Sequence, residues 1–236
     1  MPSTSDVLGA IGRFDPLPTV TGSAGAGLPR PDRQVLGDPS ISAARGSVVR
    51  IRAESCGFSI EGSGWIAAHE LVVTNAHVVA GDARPLVEVR GNGLGFDSRV
   101  VVFDRTNDVA VLRVKGLRRP PLSSAVPEWG TPAAVLGYPL DGGFRAREVT
   151  VGRTATVLGD DAYGQGPVER SVVLLRGTVQ AGNSGGPVVD RAGKVVATVY
   201  GRSDHGGGYG VPVDITGHAV FRALSGAADR VGPCAR

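Results

Sequence analysis

Gly182-Asn183-Ser184-Gly185-Gly186-Pro187 is the stretch on which the reading of this chain turns. A hydroxyl side chain stands among glycines, with apolar runs close by. Glycine reaches backbone conformations that a Cβ forbids, and it leaves room for a carbonyl group to approach. A serine on such a turn, with main-chain N–H groups free to face a developing oxyanion, has what acyl transfer needs. The plain alternative is a glycine-rich hairpin in which Ser184 is a turn residue and nothing more.

Two upstream stretches bear on the choice. Leu71-Val72-Val73-Thr74-Asn75-Ala76-His77-Val78-Val79 is a short apolar strand with a histidine just past its end. Asp104-Arg105-Thr106-Asn107-Asp108 runs into the alternating strand Val109 to Val114. A nucleophilic serine needs a neutral imidazole as base and a carboxylate that sets the imidazole tautomer. His77, Asp108 and Ser184 supply these groups in that chain order, with Asp104 a rival for the carboxylate. His77 could also be a core histidine, and Asp108 a turn residue.

With those motifs in place, the chain resembles the chymotrypsin-fold serine proteases of the HtrA-like branch, from about Gly46 to Leu224. The resemblance implies a serine endopeptidase with His77, Asp108 and Ser184 as the catalytic triad. The N–H groups of Gly182 and Ser184 then form the oxyanion hole. Thr178 takes the place of the pocket-base residue, and Val199, Tyr200 and Gly201 form the wall that pairs with substrate backbone. Cleavage after small or medium uncharged residues follows, rather than after Lys or Arg. Digestive relatives carry an aspartate directly before the serine, where this chain has neutral Asn183. Ordering of that loop by a buried ion pair to a new N-terminus is therefore not expected.

Composition agrees with an all-β protein. The chain has 236 residues, 36 glycines, 42% hydrophobic and 20% charged residues. Short β-branched runs separated by turn residues predict one set of six strands within about 46–116 and another within about 130–213. The expected architecture is two six-stranded antiparallel barrels with the site in the cleft between them, followed by a C-terminal helix over about 214–225. Asp214 is the expected N-cap, with Gly226 just past the helix end. Residues 1–45, rich in proline and glycine, read as an extended arm or linker ahead of a protease domain at 46–236; such an arm could also cross the active site and restrain activity.

The net charge of +3, with no basic run interleaved with aromatics, gives no support to nucleic-acid binding. No His/Cys/carboxylate cluster has zinc-ligand spacing, so neither metal nor other cofactor is expected. His69, His205 and His218 lie in no motif and read as surface residues. The two cysteines, Cys56 and Cys234, flank the expected domain and read as a disulfide. In the chain-entropy model such a bond would stabilise by about 5 kcal/mol, and it implies an oxidising compartment. No apolar run approaches a membrane span and no signal pattern opens the chain.

Domain layout and cysteine placement further resemble a narrower group, the membrane-anchored periplasmic proteases of actinobacteria that act in acid and oxidative stress. That likeness implies a monomeric protease domain, tethered to the inner membrane through a region ahead of it, acting on proteins and peptides, cell-wall proteins among them. The rival readings are a catalytically latent binding or chaperone-like module on the same fold, and an α/β-hydrolase esterase. Gly182 to Gly186 also fits G-x-S-x-G, but the esterase order of serine before histidine is absent.

Overall fold

The computed structural model describes residues 12–13, 17–22, 24–89 and 95–232. Two short strands come from the arm, β1 (Gly12–Arg13) and β2 (Thr19–Val20). A 3-10 turn (Arg33–Gly37) and helix α1 (Pro39–Ala44) lead into the first barrel. Its strands are β3 (Val48–Ser55), β4 (Phe58–Ala68), β5 (Leu71–Thr74), β6 (Leu86–Val89), β7 (Gly95–Asp97), β8 (Arg99–Asp104) and β9 (Val109–Arg113), with a single helical turn, α2 (Ala76–Val79), after β5. The second barrel comprises β10 (Thr131–Gly137), β11 (Arg145–Gly159), β12 (Val168–Gly177), β13 (Pro187–Asp190), β14 (Val195–Ser203) and β15 (Gly208–Val211). Helix α3 (Val213–Leu224) follows.

The first sheet runs β7-β6-β3-β4-β5-β9-β8. The Val100 N–H of β8 donates to the Ala83 carbonyl at 3.1 Å, linking that end of the sheet to the segment ahead of β6. The second sheet runs β13-β10-β11-β12-β15-β14, and pairing of β13 with β14 closes it. The expected antiparallel barrels are thus present, with β7 added at one flank of the first. Pairing of β13 with β14 covers part of the edge that an open second sheet would expose.

Alternating Val, Ile and Leu fill each barrel. Val49, Ile51, Ile66, Val72, Val87, Ala110 and Leu112 form one core, and Val135, Val149, Val151, Leu175, Val188 and Val199 the other. Each such side chain contributes about 1.5–3 kcal/mol on burial. The barrels are also tied by polar bonds: the Trp65 indole N–H donates to Thr198 Oγ1 at 3.0 Å, and the Ser63 N–H to the Ser184 carbonyl at 2.8 Å.

Two differences from the sequence reading matter. The arm is extended, but it is docked. β1 pairs in parallel with β4, β2 pairs in parallel with β14, and Leu17, Val20, Leu28, Val35 and Ile41 are buried. Gly22 and Gly27, at φ +125° and +75°, let the arm change direction, while apolar residues spaced along it supply the burial that an average over the segment conceals. Helix α3 begins at Val213 with Pro212 as its cap, so Asp214 sits inside the first turn, where a negative charge still favours the helix N-terminus. Gly226 follows the helix with φ +90°, as a helix stop requires. The pairing expected for Cys56 and Cys234 falls on a residue outside those described.

Candidate active site

His77 rides on α2, the turn that follows β5. Its side chain and main chain are both held by Asp108. His77 Nδ1 lies 2.6 Å from Asp108 Oδ2, and the His77 N–H donates to Asp108 Oδ1 at 2.8 Å. Asp108 opens β9 in the left-handed region, φ 57°, which aspartate tolerates better than most residues. The Asn75 amide donates to the Asp108 carbonyl at 2.9 Å, pinning the same turn. Asp104, the rival, instead accepts the N–H groups of Thr106 and Asn107 and closes its own turn.

Ser184 is brought to this pair by contact of loops. A Cβ on Gly185 would lie 2.3 Å from Thr74 Oγ1 and 2.9 Å from the Asn75 nitrogen, so the residue after Ser184 is packed directly on the segment leading into His77. Gly185 also has φ +78°, which glycine alone takes without strain. Ser184 is 1% exposed and His77 7%. Ser184 Oγ and His77 Nε2 are both buried and have no hydrogen-bond partner among the described residues. Bonds of this kind are often long before substrate arrives. His77 and Asp108 are thus bonded to each other, and the residue after Ser184 is packed on the loop that carries His77.

The loop ahead of Ser184 is self-ordered. Asn183 Oδ1 accepts the Gln180 N–H and the Asn183 N–H donates to the Gln180 carbonyl, both at 3.0 Å. The neutral residue thus closes a turn where an ion pair would otherwise be needed. Ser63 lies in none of the three motifs, yet it holds this loop. This fully buried hydroxyl donates to the Gly182 carbonyl at 2.6 Å and accepts the Tyr138 N–H at 2.9 Å. The Leu140 N–H donates to the Ala181 carbonyl at 2.9 Å. Because a trans peptide sets its C=O and N–H on opposite sides, that bond fixes the direction of the Gly182 N–H. Its signal in the sequence is a serine between two glycines, Gly62-Ser63-Gly64, on β4.

The pocket residues divide. Val199 and Tyr200 are buried, but the main chain of Val199 is turned inward, exchanging bonds with Gly185 (2.9 Å) and Gly186 (2.8 Å). Tyr200 stacks under Arg170 at 4.7 Å, and burial pushes its phenol up to about 12. Thr178 stands exposed, whereas its neighbour Val179 is buried with Val199. Gly177, at φ +146°, breaks the strand alternation and turns Thr178 outward. His69, His205 and His218 are exposed, as expected. Among the described residues no His/Cys/carboxylate group is arranged to hold a metal.

Residues 62–197 match the trypsin-like peptidase domain family. The chain belongs to that family. It is 39% identical over 176 residues to serine protease Rv3671c of Mycobacterium tuberculosis, a match covering 72% of this chain and 44% of the relative. The crystal structure of the active form of the Rv3671c protease superposes with a TM-score of 0.80 at 32% identity, covering 95% of this chain and 97% of that one. The inactive form superposes at 0.72 with 34% identity, covering 83% and 98%. The present chain spans under half the length of that curated relative. Its fold, family and relatives make it a serine endopeptidase domain of the trypsin-like, HtrA-like type.

Proposed function

We propose that Ser184, His77 and Asp108 are the catalytic triad of this domain. In this reading Ser184 Oγ attacks the peptide carbonyl and its proton passes to His77 Nε2, which then delivers it to the leaving amine. Water, activated by the same imidazole, hydrolyses the acyl-enzyme and frees Ser184. Asp108 holds the ring in the tautomer that leaves Nε2 basic, and Gly182 and Ser184 present N–H groups to the oxyanion. The observation that carries the reading is the two-point grip of Asp108 on His77 beside a buried, unpartnered Ser184 Oγ.

The buried, apolar Val179 and Val199 near Ser184 support a preference for small or medium uncharged side chains at the cleaved position. The setting we propose is extracytoplasmic, with a membrane tether ahead of the domain, a Cys56–Cys234 disulfide and a monomeric domain. Its substrates are then envelope proteins and peptides, cell-wall proteins among them, in resistance to acid and oxidative stress. Among the described residues no helix is long and apolar enough to cross a membrane, so the tether would lie elsewhere.

Labelling with a fluorophosphonate, with Ser184→Ala as control, tests the assignment. Covalent labelling lost in the variant is the expected result. Labelling that persists in Ser184→Ala would assign the nucleophile elsewhere.

A further inference from the structure

Beyond Val199, which is bonded to the residues just after Ser184, the edge of β14 continues past β13 as Gly201, Arg202 and Ser203. An extended peptide entering the site would add to the sheet here, its affinity coming from main-chain hydrogen bonds. In this structure the chain's own arm takes that place. The Arg202 N–H donates to the Pro18 carbonyl at 2.9 Å, and a Cβ on Gly201 would lie 2.7 Å from the same oxygen. Thr19 and Val20 pair in parallel with Arg202 and Ser203.

Side chains lock the contact. Arg202 Nε donates to Thr19 Oγ1 at 3.1 Å, the Gly22 N–H to Asp204 Oδ1 at 3.0 Å, and the Tyr209 hydroxyl to the Gly22 carbonyl at 3.1 Å. The Ser203 hydroxyl donates to that carbonyl as well. Leu17, 5% exposed, belongs to the apolar cluster that includes Val179 and Val199. Leu17 thus anchors the arm in the apolar core of the second barrel while the residues after it occupy the edge. At the other end β1 lies against β4 of the first barrel, so the arm passes from one barrel to the other.

We propose that residues 17–22 are an intramolecular competitor for the peptide-binding edge of β14, anchored by Leu17, and that the edge accepts an extended peptide carrying a leucine-sized aliphatic side chain in place of Leu17. The inference rests on the protease reading above and adds its regulation. Hydrolysis needs the attacked carbonyl at the Gly182 and Ser184 N–H groups and the leaving amine at His77, and a bound strand meets both in one chain sense. Leu17 sits between Pro16 and Pro18, and neither proline has an N–H to offer the edge. The arm thus holds the site without presenting an ordinary scissile bond.

Two variants of the full chain test this. Leu17→Asp places a charge in the apolar cluster and expels the arm. Asp204→Ala removes one exposed clasp and leaves the core intact. Hydrolysis of a fluorogenic peptide with leucine at the cleaved position is measured beside fluorophosphonate labelling. Expected is a rise in kcat/KM of about tenfold or more for Leu17→Asp and about threefold for Asp204→Ala. A synthetic peptide of residues 17–22 should then inhibit Leu17→Asp competitively. If Leu17→Asp does not fold, Asp204→Ala decides. Unchanged kcat/KM in the folded variants, with Ser184 labelled, overturns the arm's role and leaves the protease reading standing. No labelling and no hydrolysis in any form overturns both.

Discussion

Ser63 Oγ donates to the Gly182 carbonyl at 2.6 Å while accepting the Tyr138 N–H at 2.9 Å, so one buried hydroxyl ties the loop before Ser184 to the loop after β10. Ser63→Ala would leave two buried main-chain groups unpaired, each costing about 1–3 kcal/mol. The loop would shift to recover them, carrying the Gly182 N–H with it. The expected outcome is a fall in kcat of about 10- to 100-fold with KM changed less than about threefold. Steady-state kinetics with a peptide substrate check this; a change confined to KM would place Ser63 outside oxyanion positioning.

Asp108→Asn separates the two duties of Asp108. Asparagine tolerates φ 57° and keeps an oxygen for the His77 N–H, so the fold should persist. Its amide can offer an N–H to Nδ1, selecting the tautomer in which Nε2 carries the proton. Activity should fall by about 10⁴-fold in kcat while the melting temperature moves only a few degrees. Kinetics and calorimetry on one preparation test the pair of expectations.

Gly185→Ala asks whether the contact between the two motif loops is as tight as the geometry says. The added methyl would meet Thr74 Oγ1 at 2.3 Å and the Ser63 carbonyl at 2.4 Å, at a backbone φ of +78°. Overpacking and strain together should cost about 3 kcal/mol or more. For a domain of this size that lowers the melting temperature by about 6–12 °C. Thermal unfolding within about 2 °C of the parent would show that the loops can separate freely.

Glu61 supplies a pH dependence. Burial first, then a hydrogen bond and charge repulsion from Asp141, push its carboxyl up to about 7, while Arg52 and Arg50 pull the other way. A carboxyl with a folded pKa above its unfolded value binds more protons when folded. Its contribution to stability is therefore present in full at acid pH and is lost as pH rises from about 4.5 through about 7. Solvent still reaches the pair, so the gain is held to about 1 kcal/mol, or about 2–4 °C in melting temperature. Between pH 7 and pH 5 the parent should gain this stability relative to Glu61→Gln. Parallel curves for the two proteins would assign the pH response elsewhere.

Glu61 also shows where sequence reading stops. It lies on β4 opposite Arg52, and Arg52 in turn lies 3.3 Å from the buried Glu88 on β6 and 3.7 Å from Asp141 after β10. Nothing in the local pattern announces that carboxylates 80 positions apart will repel one another. The same holds for Thr178 and Val179. Alternation predicts which faces a pocket only while the strand is regular, and Gly177 interrupts it.

What the sequence by itself determined was the chemistry and the class of fold. Each group proposed for catalysis sits in a short run, Thr74 to Val79, Asn107 to Leu112 and Gly182 to Pro187, whose turn residues and apolar neighbours specify a strand end wherever the run is placed. Period-two patterning marked the strands of both barrels, and Asp214 to Leu224 showed a helix for the same local reason. What only the tertiary structure decided was partnership at long range. The grip of Ser63 on Gly182, the inward turn of Val179 and the docking of Leu17 to Gly22 along β14 join segments far apart in the chain. Each sets a side chain, Ser63 Oγ, Val179 or Leu17, against a partner far away in the chain, and local residue type does not name that partner.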